Sequence, residues 1–203
     1  MPDRGFDEGS TVERFIRDLL TPTWTPVDSV DLSRPETDLF VLDRLRAALA
    51  RLNPEIAAQP DRAEDVLHRL RAIVLGVRTD GLVKANEEFA AWLNGERSMP
   101  FGPGGEHVTV RLVDFDDLTN NDFVVTTQFR FQIGDQTRIP DLVLLVNGMP
   151  LVVIEAKTPT RACVSWVDGA LQVHGYENDV PELFVPNVFS VATEGKEFRY
   201  GSI

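Results

Sequence analysis

Along the first hundred positions, apolar residues recur every three to four places, the spacing of one face of an α-helix. Phe15, Ile16, Leu19 and Leu20 make such a face behind Ser10-Thr11-Val12-Glu13. That quartet reads as a capping box, in which Ser10 accepts from the Glu13 amide and Glu13 reaches back. Thr21-Pro22 should close the helix, because proline disfavours helical backbone in the residue before it. Three more helices are predicted over 36–52 (Leu39, Phe40, Leu42, Leu45, Leu49), 61–76 (Val66, Leu67, Leu70, Ile73, Val74) and 80–94 (Leu82, Phe89, Trp92, Leu93). Met99 to Gly105 is a turn-rich break. Beyond it come strand-like runs at 107–113, 123–133, 139–146, 150–156 and 187–192, and a short one at 197–200, rich in Val, Phe, Thr and Ile. Trp166 to Tyr176 fits one helix packed on the sheet. The expected architecture is α/β: a helical annex over 1–100, then a mixed-sheet core with flanking helices over 101–203.

The chain has 203 residues, 43% of them hydrophobic, enough for one globular domain with a helical annex. No apolar run approaches the ~18 residues needed to cross a bilayer, and the polar, acidic N-terminus lacks a signal core. Cys163 is the single cysteine, which excludes an intrachain disulfide and a cysteine-based zinc site. A cytoplasmic setting is expected. The net charge is −12, divided as −5 over residues 1–100 and −7 over 101–203. Affinity for nucleic acid rests on Lys and Arg neutralising phosphates, so this chain alone should bind DNA poorly.

The segment with chemical content is 139–157, Ile-Pro-Asp-Leu-Val-Leu-Leu-Val-Asn-Gly-Met-Pro-Leu-Val-Val-Ile-Glu-Ala-Lys. Two apolar strands flank an Asn-Gly turn, a strong hairpin signal, and an acid stands at the outer end of each: Asp141 and Glu155. Strands this apolar are normally buried, and two carboxylates at such an edge repel unless a cation joins them. Oxygen ligands on rigid strands suit Mg²⁺, which keeps several waters and takes one or two carboxylates plus phosphate oxygens. Lys157 lies two residues past Glu155, on the same strand face, where its ammonium could orient a water and offset phosphate charge. Together these parts suit in-line hydrolysis of a phosphodiester; the alternative is a structural ion pair. Register supplies the test. A strict two-residue loop pairs Asp141 with Ile154 and sends the acids to opposite faces, whereas a three-residue loop, or an equivalent bulge, brings them together. A second Glu-x-Lys, Glu194-Gly195-Lys196, reads as a polar turn between strands.

Larger stretches resemble a known family. Asn121 to Val125, Gln128-Phe129, Arg138 to Leu144, Asn147 to Lys157, Gln172 to Tyr176, Val180 to Phe184 and Arg199 to Ser202 are similar to the PD-(D/E)xK nuclease domain of type I restriction enzyme R (motor) subunits. Ala85 to Phe89 and Leu93-Asn94-Gly95 resemble that family's helical lead-in. The resemblance implies a restriction-endonuclease-like core that cuts double-stranded DNA with Mg²⁺ or its substitute Mn²⁺. It implies Asp141 and Glu155 as metal ligands, with the Ala156 backbone carbonyl, Lys157 as the catalytic lysine, and Gln172 and Tyr176 as the accessory pair of a QxxxY motif. Ala156 departs from the bulkier apolar residue of many relatives. The family further implies ATP-driven motor domains and partner subunits for methylation and sequence recognition. No GxxxxGK[ST] phosphate loop occurs here, so an N-terminal fragment is expected, with ATP bound only by domains beyond it. Other readings are a recombination or repair nuclease of the same superfamily, and a catalytically silent docking or DNA-binding module.

Gln172 and Tyr176, at i and i+4, share one helix face and could contact DNA, steady Lys157 or merely pack on the sheet. Glu13 could reach the metal or simply cap its helix. Arg130, Arg138, Arg161 and Arg199 are candidate phosphate contacts. Asp114, Asp116, Asp117 and Asp122 form an acidic loop, either a solvated turn or a partner-docking surface. His68 and His107 read as structural, His174 as a neighbour within the Gln–Tyr stretch, Trp24, Trp92 and Trp166 as packing residues rather than base-stacking platforms, and Cys163 as inert.

Overall fold

A computed structural model describes residues 9–157 and 165–203, with side chains from residue 12 onward. Its helices are α1 (Gly9–Leu20), α2 (Leu42–Leu52), α3 (Pro54–Ala58), α4 (Arg62–Asp80), α5 (Leu82–Leu93) and α6 (Trp166–Asp179). Its strands are β1 (Thr25–Pro26), β2 (Ser98–Met99), β3 (Val108–Thr109), β4 (Phe123–Thr127), β5 (Phe131–Ile133), β6 (Gln136–Arg138), β7 (Leu142–Val146), β8 (Met149–Ala156), β9 (Phe189–Thr193) and β10 (Phe198–Gly201). Helix α1 ends before Thr21-Pro22 as expected. The cap assigned to Ser10 and the readings of Arg161 and Cys163 lie outside the described residues and side chains.

Six strands form one mixed sheet in the order β1-β4-β7-β8-β9-β10. β8 and β9 are parallel, and α6 lies in the crossover between them; β4, β7 and β8 run antiparallel in turn. All eight residues of β8 are buried, as its unbroken apolar run requires of a central strand covered on both faces. Helix α1 covers one face, setting Val12, Ile16 and Leu20 against Val125, Leu142, Leu144, Val152 and Ile154. The other face carries Val143, Leu145 and Val153 into a larger core with Leu45, Leu70, Phe89, Val173 and Phe184. That core unites helices of the first hundred residues with the sheet, and β1 joins the sheet directly. The architecture is therefore a three-layer α/β fold of the expected restriction-endonuclease-like kind.

The structure corrects four boundaries. The helix expected over 36–52 begins at Leu42, because Leu39, Phe40 and Val41 form a buried, non-helical lead-in whose Val41 N–H donates to the Gly148 carbonyl (2.9 Å). The run 107–113 is strand only at Val108–Thr109. Beyond it the Asn53 side chain supplies the missing main-chain partners, donating to the Arg111 carbonyl (2.9 Å) and accepting from the Arg111 N–H (2.8 Å). The run 123–133 breaks at Gln128, whose φ of 54° turns the chain out of the sheet and into the β5–β6 hairpin. The run 139–146 is paired in the sheet only from Leu142.

Candidate active site

The Asn147-Gly148 turn is a tight two-residue loop, with Val146 opposite Met149 and φ values of 52° and 80°. Both residues being left-handed marks the turn type that matches the twist of a hairpin. The loop itself is therefore not the three-residue form. The register instead shifts at a β-bulge: Leu145 faces Pro150 while Leu144 faces Val152, leaving Leu151 as the extra residue. This is the equivalent bulge that the metal-site argument allowed. The turn stays tight because Asn147 is buried in a bonding network. Its amide donates to the Leu112 carbonyl (2.8 Å) and to Asn121 Oδ1 (2.9 Å), and its Oδ1 accepts from the Asp122 N–H (2.8 Å) and Arg51 Nη2 (3.2 Å). A Cβ on Gly148 would stand 2.5 Å from the Val41 carbonyl oxygen.

Below the bulge Leu142 faces Ile154, both directed at α1. One step further Asp141 comes level with Glu155, and alternation turns both toward α6. Asp141 Oδ2 accepts from the Ala156 N–H at 2.9 Å. Glu155 is 0% exposed, and its Oε1 has no hydrogen-bond partner. Burial first, then the charge of Asp141, pushes the Glu155 carboxyl up to about 8 against the opposing pull of Lys157. The Lys157 ammonium lies 3.4 Å from Glu155 Oε2 and also donates to Gln172 Oε1. The Gln172 amide in turn donates to the Tyr176 hydroxyl. Burial and the Glu155 charge raise Tyr176 to about 12, keeping it a neutral phenol. The Lys157 N–H donates to the Thr193 carbonyl (2.7 Å), which fixes the end of β8 against β9.

Of the uses open to Gln172 and Tyr176, the structure thus brings them onto Lys157. It does so through a residue that sequence reasoning passed over. A Cβ on Gly169 would meet Ala192 Cβ at 3.3 Å and Glu155 Cβ at 3.6 Å, so a glycine here lets α6 lie close on β8 and β9. The available signal was a glycine in mid-helix, which commonly has a packing reason.

Among the described residues no group of three or more His, Cys, Asp or Glu is placed to hold a metal ion. The oxygen donors brought together at the acid pair are the Asp141 and Glu155 carboxylates. The unpartnered Glu155 oxygen fits a divalent cation, and two carboxylates match magnesium, which takes its remaining ligands from water and phosphate. Glu13 stands on α1 and accepts from Gln128 Nε2 at 3.1 Å. Arg130 is paired with Glu36 (2.8 Å) and Arg138 with Asp179 (3.0 Å). Arg199 lies over the Trp166 ring, 5.4 Å from its centroid.

The sequence pattern of the family described as "Type I restriction enzyme R protein N terminus" matches residues 6–203. The chain belongs to this family. The HindI type I restriction enzyme endonuclease subunit of Haemophilus influenzae is 33% identical over 168 residues, covering 80% of this chain and 15% of the relative. A provisionally assigned type I restriction enzyme endonuclease subunit of Methanocaldococcus jannaschii, MjaIXP, is 26% identical over 171 residues, covering 81% of this chain and 16% of that protein. The chain thus spans about a sixth of the length of these curated relatives.

One of the stretches that resemble R subunits, Ala85 to Phe89, braces the loop between α6 and β9. Asn86 Nδ2 donates to the carbonyls of Val185 (3.0 Å) and Asn187 (2.8 Å). Arg78 grips Glu182 with two bonds, Nε to Oε1 at 2.7 Å and Nη2 to Oε2 at 3.0 Å. The acidic loop is organised rather than merely solvated. Asp114 accepts from the N–H groups of Asp116 and Asp117 (3.0 Å each) and from Asn120 (2.9 Å), while Asp122 pairs with Arg44 at 2.7 Å. Glu194-Gly195-Lys196 forms the turn between β9 and β10, as expected.

Proposed function

We propose that this R-subunit N-terminal domain is a Mg²⁺-dependent endonuclease that hydrolyses phosphodiester bonds of double-stranded DNA, with Mn²⁺ as a substitute: a type I site-specific deoxyribonuclease module. The observation that carries the reading is the bulged hairpin, which sets Asp141 level with Glu155 while leaving a buried Glu155 oxygen unpartnered. The naming of the relatives as endonuclease subunits supports it.

Asp141, Glu155 and the Ala156 carbonyl would hold the cation. When bound, a divalent ion supplies Lewis-acid polarisation of the scissile phosphoryl group. The Ala156 N–H fixes Asp141 through Oδ2 beside the end of β8. Lys157, tied to Gln172, steers the attacking water and offsets the charge that builds on the phosphate oxygens. Gln172 and Tyr176 restrict where that ammonium can stand. The buried strand keeps competing water from the inner side of the acid pair.

The −12 charge assigns the grip on DNA to other parts. In the assembled enzyme we tie cutting to ATP-driven translocation by motor domains outside these 203 residues, with methylation and specificity subunits as partners. Asp141→Ala or Lys157→Ala in that assembly should abolish cleavage and leave ATP hydrolysis intact. Undiminished cleavage by either variant would sink the proposal.

A further inference from the structure

Among the described residues, Gln128 (φ 54°) and Asn147 (φ 52°) are the non-glycine residues with left-handed backbone. Asparagine tolerates that conformation and serves a hairpin turn with it, whereas glutamine gains nothing locally from it. Such an outlier persists where its surroundings over-determine it, and outliers of this kind gather at working sites.

The place of Gln128 in the sheet gives the outlier a use. Thr127 faces Leu142 and Leu142 faces Ile154, so the next level across the three strands reads Gln128, Asp141, Glu155. There the chain leaves the sheet. The Gln128 N–H donates to the Asp141 carbonyl (2.8 Å) and the Phe129 N–H to the Pro140 carbonyl (3.1 Å). The Gln128 carboxamide reaches Glu13 on α1 at 3.1 Å, 115 positions away in the chain. Phe129, fully buried beneath the Arg34 guanidinium (3.7 Å to its ring centroid), pins the exit. One residue therefore binds the main chain of the first acid with its backbone and the helix on the opposite face of the sheet with its side chain.

We propose that Gln128 is a positioning residue, which fixes the strand end bearing Asp141 and registers α1 through Glu13 with the acid pair. The inference rests on the nuclease reading of that pair. It predicts a separation of stability from function. Glycine at 128 relieves the left-handed backbone and removes the tie, whereas asparagine keeps a tolerable backbone but is one methylene too short to reach Glu13.

The test is a Mn²⁺ titration with DNA present, a cleavage assay and a thermal melt of the whole subunit, for wild type, Gln128→Gly and Gln128→Asn. Both variants should melt at or above the wild-type temperature, need about tenfold more Mn²⁺ for half-saturation and cleave at least about tenfold more slowly, the range in which supporting residues tune metal sites. Wild-type protein that takes up no Mn²⁺ would remove the nuclease reading and this inference with it. Wild-type uptake matched by both variants, with cleavage unchanged, overturns the positioning role alone. A marked fall in melting temperature accompanying any loss overturns it too, since the residue would then be a structural stitch.

Discussion

Lys157 donates to the side-chain carbonyl of Gln172, although the two lie fifteen residues apart on different layers of the fold. The neutral carboxamide holds the ammonium without neutralising it, and Tyr176 stops the carboxamide from rotating by accepting from its other end. Gln172→Ala should therefore slow DNA cleavage by roughly 10–100-fold, the effect typical of residues that orient a site from behind. Circular dichroism should show the fold intact. Tyr176→Phe, which keeps the ring and loses one bond, should lie between that variant and wild type. Equal rates for all three proteins would show that Gln172 and Tyr176 do not position Lys157.

Glu155 gives a pH dependence with a definite sign. Its carboxyl is raised from 4.5 to about 8, so the folded, metal-free domain binds a proton more tightly than the unfolded chain does. This contribution to stability is complete below about 4.5 and is lost as the pH rises through about 8. Melting temperature without metal should fall across that window, and Glu155→Gln should flatten the fall. A divalent ion must displace the proton, so its apparent affinity should climb over the same range. Calorimetry in buffers of different ionisation enthalpy would count the proton released.

Gly148 is closed to side chains by both space and conformation. Gly148→Ala combines a φ of 80° with a Cβ only 2.5 Å from the Val41 carbonyl oxygen. Destabilisation of about 2–4 kcal/mol is expected, from left-handed strain plus overpacking. Chemical denaturation would measure it as a lower midpoint with an unchanged slope.

Arg78 and Glu182 form an ion pair, away from the acid pair, whose loss should be felt in stability. Glu182 is only 2% exposed at its side chain, while Arg78 is half exposed. Arg78→Ala strands a buried carboxylate and should cost roughly 2–3 kcal/mol, less than a fully buried pair because water can reach the arginine side. Arg78→Lys should recover part of this, since charge survives but the two-pronged geometry does not.

Much of the working part could be read from the order of residues. Asn-Gly between two apolar runs announces a hairpin, and the i, i+4 spacing of Gln172 and Tyr176 announces a shared helix face. The position of the bulge could not be read. Met149 to Ile154 is apolar throughout, so no alternation tells inward from outward, and a one-residue shift leaves no trace in the pattern. The start of α2 departs from what the helical period predicts for a similar reason. Leu39 and Phe40 fit the helical period, yet their environment is set by Gly148, more than a hundred positions away. The Lys157–Gln172 bond has the same character, since it depends on Gly169 admitting a helix to a strand. Periodicity reports local geometry, and these features are decided by packing at long range.

The plugged turn at Asn147-Gly148 has a mechanical meaning. The acid pair sits at one end of the β7–β8 hairpin, and the other end is socketed between Val41, Leu112 and Arg51. That socket is thus joined to Asp141 and Glu155 by paired strands rather than by a loop, which makes the far rim of the sheet part of what sets the spacing of the two acids.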